Sequence, residues 1–235
     1  MSQRYERQSL MIGKEATERL ATKKVALFGV GGVGSYAAEA LARCGVGTVE
    51  LIDNDVVSVS NINRQLCALE STIGRPKAEV VAERMRDIDP NITVIPRQLF
   101  LLPENADELD FSSYDFVIDA IDTVSAKVEI AVRCTGFGIP MVSSMGTGNK
   151  LDPTALCVSD LSKTSGCPLA RVMRRELKKR GIIHLPVVYS QEPPISPKHP
   201  AFTDSGKPIP GSIAFVPSVA GLIAASVAIK ELIKN

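Results

Sequence analysis

KVALFGVGGVGSYAAEALARCGVGTVELIDND, residues 24–55, is the stretch that decides the fold. An apolar run from Lys24 to Phe28 stops at a glycine, and Val33–Arg43 follows with small helix formers, a strand–turn–helix pattern. Thr48–Ile52 reads as the next strand. Gly29, Gly31 and Gly34 form GxGxxG, with Gly32 inside it. Glycines at that spacing permit a tight turn and let phosphate approach backbone N–H groups at a helix N-terminus. Asp53 follows Gly34 by 19 residues, at the end of the second strand, where a carboxylate can bind ribose hydroxyls. Taken alone, these residues fit a nicotinamide-binding Rossmann domain, so their neighbours must decide.

Working outward, Pro76 suits a helix start, since its missing N–H costs nothing there, and Lys77–Ile88 continues with an apolar stripe. Ile92–Ile95, Phe116–Ile118 and Met141–Ser143 read as strands, and Val124–Phe137 as a helix. The alternation predicts an α/β, Rossmann-like, mostly parallel sheet with helices on both faces and ligands at the carboxyl ends of its strands. After residue 150 the expected elements are a strand at 155–158 and a basic helix at 168–179. Residues 191–211 hold six prolines and few apolar residues, the composition of a mobile loop or lid. Ile213–Ile229 is nearly uncharged, but Pro217 interrupts it and it falls short of the ~20 residues of a bilayer span. It reads as a strand followed by a buried helix. The expectation is one adenylating domain over 1–235, with a nucleotide-binding core at 1–150 and a substrate-side C-terminal extension at 151–235.

Charge is almost balanced, 27 basic against 26 acidic residues, so no overall cationic field advertises a polyanion partner. The five cysteines, Cys44, Cys67, Cys134, Cys157 and Cys167, form no CxxC pair, so no structural zinc is expected and a reducing compartment is inferred. Residues 1–20 carry charges throughout, without a signal-peptide core. A cytoplasmic protein with no membrane association is the expectation.

The chemistry turns on polar residues at strand ends. Asn61-Ile62-Asn63-Arg64-Gln65 follows the second strand, Lys77 opens the next helix, and Asp122 lies just beyond the fourth strand. Nicotinamide chemistry needs no pair of cations and second acid around the phosphates, whereas adenylation does. There a carboxylate attacks the α-phosphorus of ATP and pyrophosphate leaves, so growing negative charge requires fixed cations, Arg64 and Lys77. Asp122 is the expected ligand of Mg2+, a hard cation often held by one or two carboxylates. The alternative for each residue taken singly is a solvated surface charge.

Arg4-Tyr5-Glu6-Arg7-Gln8, the glycine turn, Asp53-Asn54-Asp55, the Asn-x-x-Arg-Gln segment, Gly74-Arg75-Pro76-Lys77 and Asp119-Ala120-Ile121-Asp122 resemble the ubiquitin-activating-enzyme-like adenylyltransferases over roughly residues 4 to 145. The resemblance implies that Gly29, Gly31, Gly32, Gly34, Asp53, Asp55, Asn61, Arg64, Gln65, Lys77 and Asp122 serve ATP. It also implies a homodimer in which Arg7 reaches the phosphates of the partner's site. Read without it, Arg7 is an ordinary surface residue.

Members that activate ubiquitin-like or sulfur-carrier proteins commonly carry two CxxC pairs, which are missing here. Leu151-Asp152-Pro153-Thr154, Ser162-Lys163-Thr164, the Pro168-Leu169-Ala170 helix and Val187-Val188-Tyr189-Ser190 are instead similar to the tRNA threonylcarbamoyladenosine dehydratases. That branch implies adenylation of the modified nucleoside's threonine carboxylate, ring closure by the neighbouring carbamoyl group, and net loss of water. An intramolecular nucleophile has a high effective concentration, so no enzyme thiol is needed. Arg171, Arg174, Arg175, Lys178, Lys179 and Arg180 form either a local tRNA footprint or a solvated helix face. The rival readings are activation of a carrier protein's C-terminus, a nicotinamide oxidoreductase, and a non-catalytic half of a heterodimer.

Overall fold

In a computed structural model, described for residues 3–203, 206 and 208–234, the strands are β1 (Lys24–Phe28), β2 (Thr48–Ile52), β3 (Thr93–Arg97), β4 (Phe116–Asp119), β5 (Met141–Ser144), β6 (Leu156–Asp160), β7 (Pro186–Ser190), β8 (Ala201–Phe202) and β9 (Pro208–Ile209). The α-helices are α1 (Glu6–Ile12), α2 (Lys14–Leu20), α3 (Gly34–Arg43), α4 (Lys77–Ile88), α5 (Val124–Phe137), α6 (Pro168–Lys178) and α7 (Phe215–Leu232). Seven strands form one sheet in the order β3-β2-β1-β4-β5-β7-β6. All neighbours are parallel except β6 and β7, as expected of an α/β sheet that ends in an antiparallel strand.

Strand periodicity distributes the core between two faces. Val25 and Leu27 of β1 pack with Leu41, Val81, Met85 and α7 on one side, while Ala26 and Phe28 pack with Phe111, Ile130, Met173 and Leu177 on the other. Because side chains alternate along a strand, a one-residue slip of β1 would exchange the two sets. Chain order reverses between β1 and β4, which opens a crevice at their carboxyl ends.

The strand expected within 213–229 is absent. A single helix, α7, begins at Phe215, and Pro217 sits in its first turn, where a proline breaks no hydrogen bond. This helix is long and apolar enough to cross a membrane by length and composition. Here it packs on α3, and a Cβ at Gly221 would lie 2.1 Å from the carbonyl oxygen of Val33, so the two backbones touch. The third strand runs Thr93–Arg97 rather than 92–95, and α1 and α2 were not foreseen, because neither carries a long apolar stripe. The Pro-rich segment contains the short β8–β9 hairpin, and it is fastened at both ends: Ile195 N donates to Asn149 O (2.8 Å) and Gly211 N to Asn149 Oδ1 (2.7 Å).

Candidate active site

The turn after β1 shows why glycine is needed. Gly29 has φ +82°, and a Cβ on Gly34 would lie 1.7 Å from the carbonyl oxygen of Gly29, so α3 starts in direct contact with the strand end. Gly29, Gly31 and Gly32 line a cleft of about 610 Å3 at the switch point. Gly34 does not line it; its part is to let helix and strand meet.

Asp53, at the end of β2, accepts from Val30 N (2.7 Å) and Asp55 N (2.8 Å), so it ties the glycine turn to the next strand. Burial pushes its carboxyl above the ordinary aspartate range, and those two backbone donors oppose the rise. Its edge still faces the cleft. Asp55 bonds the buried Lys77, whose Nζ lies 2.8 Å from Oδ2, and its carbonyl oxygen receives Lys77 N at 3.0 Å. Asp55 therefore fixes the cation.

A 3-10 turn at Val59–Asn61 delivers the next group. Asn61 is buried and its Oδ1 accepts from Ser58 N, closing the turn. Arg64 lies over Gly32 and donates to Ser60 O and Asn63 Oδ1, at 2.8 and 3.0 Å, which aims its guanidinium along the rim. Gln65 is buried against Gly31. Across the cleft, Asp122 follows β4, is exposed, and makes no hydrogen bond or ion pair among the described residues. No group of three or more His, Cys, Asp or Glu among the described residues could hold a metal. A lone carboxylate suits Mg2+, which typically keeps water and substrate oxygens as most of its ligands.

The opposite wall was not legible as a unit. Ser144–Lys150, Cys167–Leu169, Pro194 and Pro210 complete the cleft. Asn149 has φ +58°, an uncommon conformation for a residue with a Cβ, and Lys150, itself buried, donates Nζ to the carbonyl oxygen of Glu192. The Glu192 carboxylate in turn accepts from Leu151 N and Asp152 N. Of the cysteines, all unpaired, Cys167 lies on the cleft, while burial pushes the Cys67 thiol up to about 11 and the Cys134 thiol up to about 12. Neither of these two is a nucleophile at neutral pH.

Arg7 is exposed and does not line the cleft of its own chain. Tyr5 and Gln8 anchor its helix, through Asp89 Oδ2 at 2.5 Å and Cys44 O at 3.0 Å. On α6, Arg174 turns inward to the carbonyl oxygens of Leu161 and Thr164, which makes it a brace for the preceding loop. Arg175, Lys179 and Arg180 gather on Glu176. Arg171 and Lys178 remain exposed and make no ion pair among the described residues.

Two cations and an unpaired acid around the switch point of a doubly wound sheet define the class, an α/β nucleotide-binding enzyme. The chain belongs to the ThiF family, whose model matches residues 5–235. It is 43% identical over 245 residues to the tRNA threonylcarbamoyladenosine dehydratase of Bacillus subtilis (strain 168), covering 100% of this chain and 96% of that protein. Against the enzyme of the same name from Escherichia coli (strain K12) the identity is 40% over 204 residues, 83% of this chain and 76% of that one. The crystal structure of the E. coli tRNA N6-threonylcarbamoyladenosine dehydratase in complex with ATP superposes with a TM-score of 0.89 at 37% identity, covering 98% of this chain and 93% of that chain.

Proposed function

We propose that this chain is an ATP-dependent dehydratase of threonylcarbamoyladenosine in tRNA, next to the anticodon. The threonine carboxylate attacks the α-phosphorus of ATP, pyrophosphate leaves, and the carbamoyl group attacks the acyl carbon, closing a ring and expelling AMP. The net change is loss of one water from the nucleoside. The observation that carries the reading is the gathering of Arg64, Lys77 and Asp122 on one cleft, in a chain alike over its whole length to enzymes of that name.

Each group has a task. Backbone N–H groups of the glycine turn receive phosphate, and Arg64 and Lys77 compensate the charge that grows as pyrophosphate departs. Lys77 is held rigid by Asp55, so little reorganisation accompanies the reaction. Asp122 would hold Mg2+, which supplies further neutralisation of the phosphates. The wall at 144–150 and 167–169 is the place for the acyl acceptor, with Arg171 and Lys178 as the cations of α6 open to tRNA phosphate. In the active form two copies pair and Arg7 enters the partner's cleft. That arrangement is supported by the exposure of Arg7 and by Leu10 and Met11 on the same helix, 83% and 85% exposed. A cytoplasmic site of action fits five unpaired cysteines and a tRNA substrate.

The test is mass analysis of nucleosides from tRNA incubated with the protein and ATP. The expected product is threonylcarbamoyladenosine lighter by one water, with AMP and pyrophosphate released. An adenylated carrier protein, with the nucleoside unchanged, would overturn the reading in favour of carrier activation.

A further inference from the structure

Lys127, in the first turn of α5, has no exposed side-chain surface, and neither has its partner Asp119 at the end of β4. Its ammonium has three protons and three acceptors: Asp119 Oδ2 at 2.9 Å, the carbonyl oxygen of Ile121 at 3.0 Å and that of Ser144 at 2.8 Å. Asp119 is also saturated, accepting from Ser143 Oγ at 2.5 Å and Ile121 N at 3.3 Å. A fully buried ion pair is a poor stabiliser compared with apolar residues of the same volume, because both charges lose their hydration. Its placement points to another use. The three acceptors are the carboxyl end of β4, the residue immediately before Asp122, and the carboxyl end of β5, where the opposite wall begins.

We infer that Lys127 is a positioning residue, which fixes the Asp122 loop against the end of β5 so that the Asp122 carboxylate is held at the metal and phosphate position. The Asp122 side chain makes no hydrogen bond or ion pair among the described residues, so its location depends on the backbone that Lys127 grips. This inference rests on the proposed role of Asp122. Supporting groups behind metal-binding carboxylates typically change affinity or activity on the order of 10–100-fold.

The test uses the double variant Asp119→Asn/Lys127→Met, which removes both buried charges together and avoids leaving one unpaired. Its melting temperature should match the parent protein, and its ATP affinity in EDTA should be unchanged. The gain in ATP affinity on adding Mg2+ should be lost, and tRNA-dependent ATP/pyrophosphate exchange should fall on the order of 10–100-fold. Combined with Asp122→Ala, the double variant should cause no further fall, because both act through one group. Parent-like exchange, a fall that multiplies with that of Asp122→Ala, or a melting temperature that drops along with exchange would each overturn the inference; the last would mean the pair serves the fold alone. Normal exchange in Asp122→Ala by itself would overturn the parent reading and this one with it. Slow exchange in Asp122→Ala beside parent-like behaviour of the double variant would overturn this one only.

Discussion

The glycine-turn wall of the cleft and the wall facing it are assembled over different distances along the chain. Gly29 to Lys77 are set by strand ends, by turns that close within a few residues, as when Asn61 bonds Ser58 or Asp53 bonds Asp55, and by two mid-range ties, Asp53 to Val30 over 23 residues and Asp55 to Lys77 over 22. The facing wall is clasped across the sequence: Asn149 holds Gly211, 62 residues away, and Lys150 holds Glu192, 42 residues away. A local turn needs only its own few residues to be correct, whereas a clasp forms only after the sheet has brought both segments together. In the proposed reaction the phosphates therefore meet mainly the wall built at shorter range, and the acceptor meets the wall clasped across the sequence.

The largest expected effect belongs to the charged groups proposed to meet the nucleotide from outside the glycine-turn wall. Asp122→Ala and Arg7→Ala should each lower ATP/pyrophosphate exchange on the order of 10²–10³-fold, the scale of removing one group that meets transition-state charge. Co-expressed, the two inactive chains should regain exchange, because in the proposed pairing a mixed dimer would have one cleft with its own Asp122 and the partner's arginine. Failure to regain it would confine Arg7 to its own chain.

A smaller effect is expected on α6. Charge reversal by Arg171→Glu and Lys178→Glu should weaken tRNA binding and lower the salt dependence of log affinity by roughly one unit of slope for each cation lost. ATP affinity should not change. Unaltered tRNA affinity in a filter-binding titration would remove α6 from the interface.

The smallest effect belongs to the clasp. Asn149→Ala loses the bond to Gly211 and strains a residue at positive φ, so urea unfolding should show a loss of about 1–2 kcal/mol with ATP affinity intact. If ATP affinity fell as well, the two walls would not be separable in the way described.

Much of the glycine-turn side of the cleft is legible in the sequence. β1, β2, α4 and α5 fall at the residues expected, and Arg64, Lys77 and Asp122 meet on one cleft. Spacing could not show that Asp55 serves Lys77 instead of facing the nucleotide alone, that Gly34 stands behind the cleft, or that Arg174 braces a loop. A charged residue looks the same in sequence whether it faces solvent, a carbonyl or a ligand. Lys127 is the extreme case: on a helix that also carries Glu129 and Arg133, nothing in its sequence setting marks it as fully buried beneath the loop that bears Asp122.

The amino-acid order alone determined the alternation of strands and helices, and the glycine turn with its acids and cations at strand ends, because periodicity and turn chemistry are short-range properties. Tertiary structure decided which charges became buried, which segments met across the cleft, and that residues 215–232 form one helix against α3. Those outcomes depend on competition between solvation and packing at points distant in sequence, and only the folded sheet brings such points together.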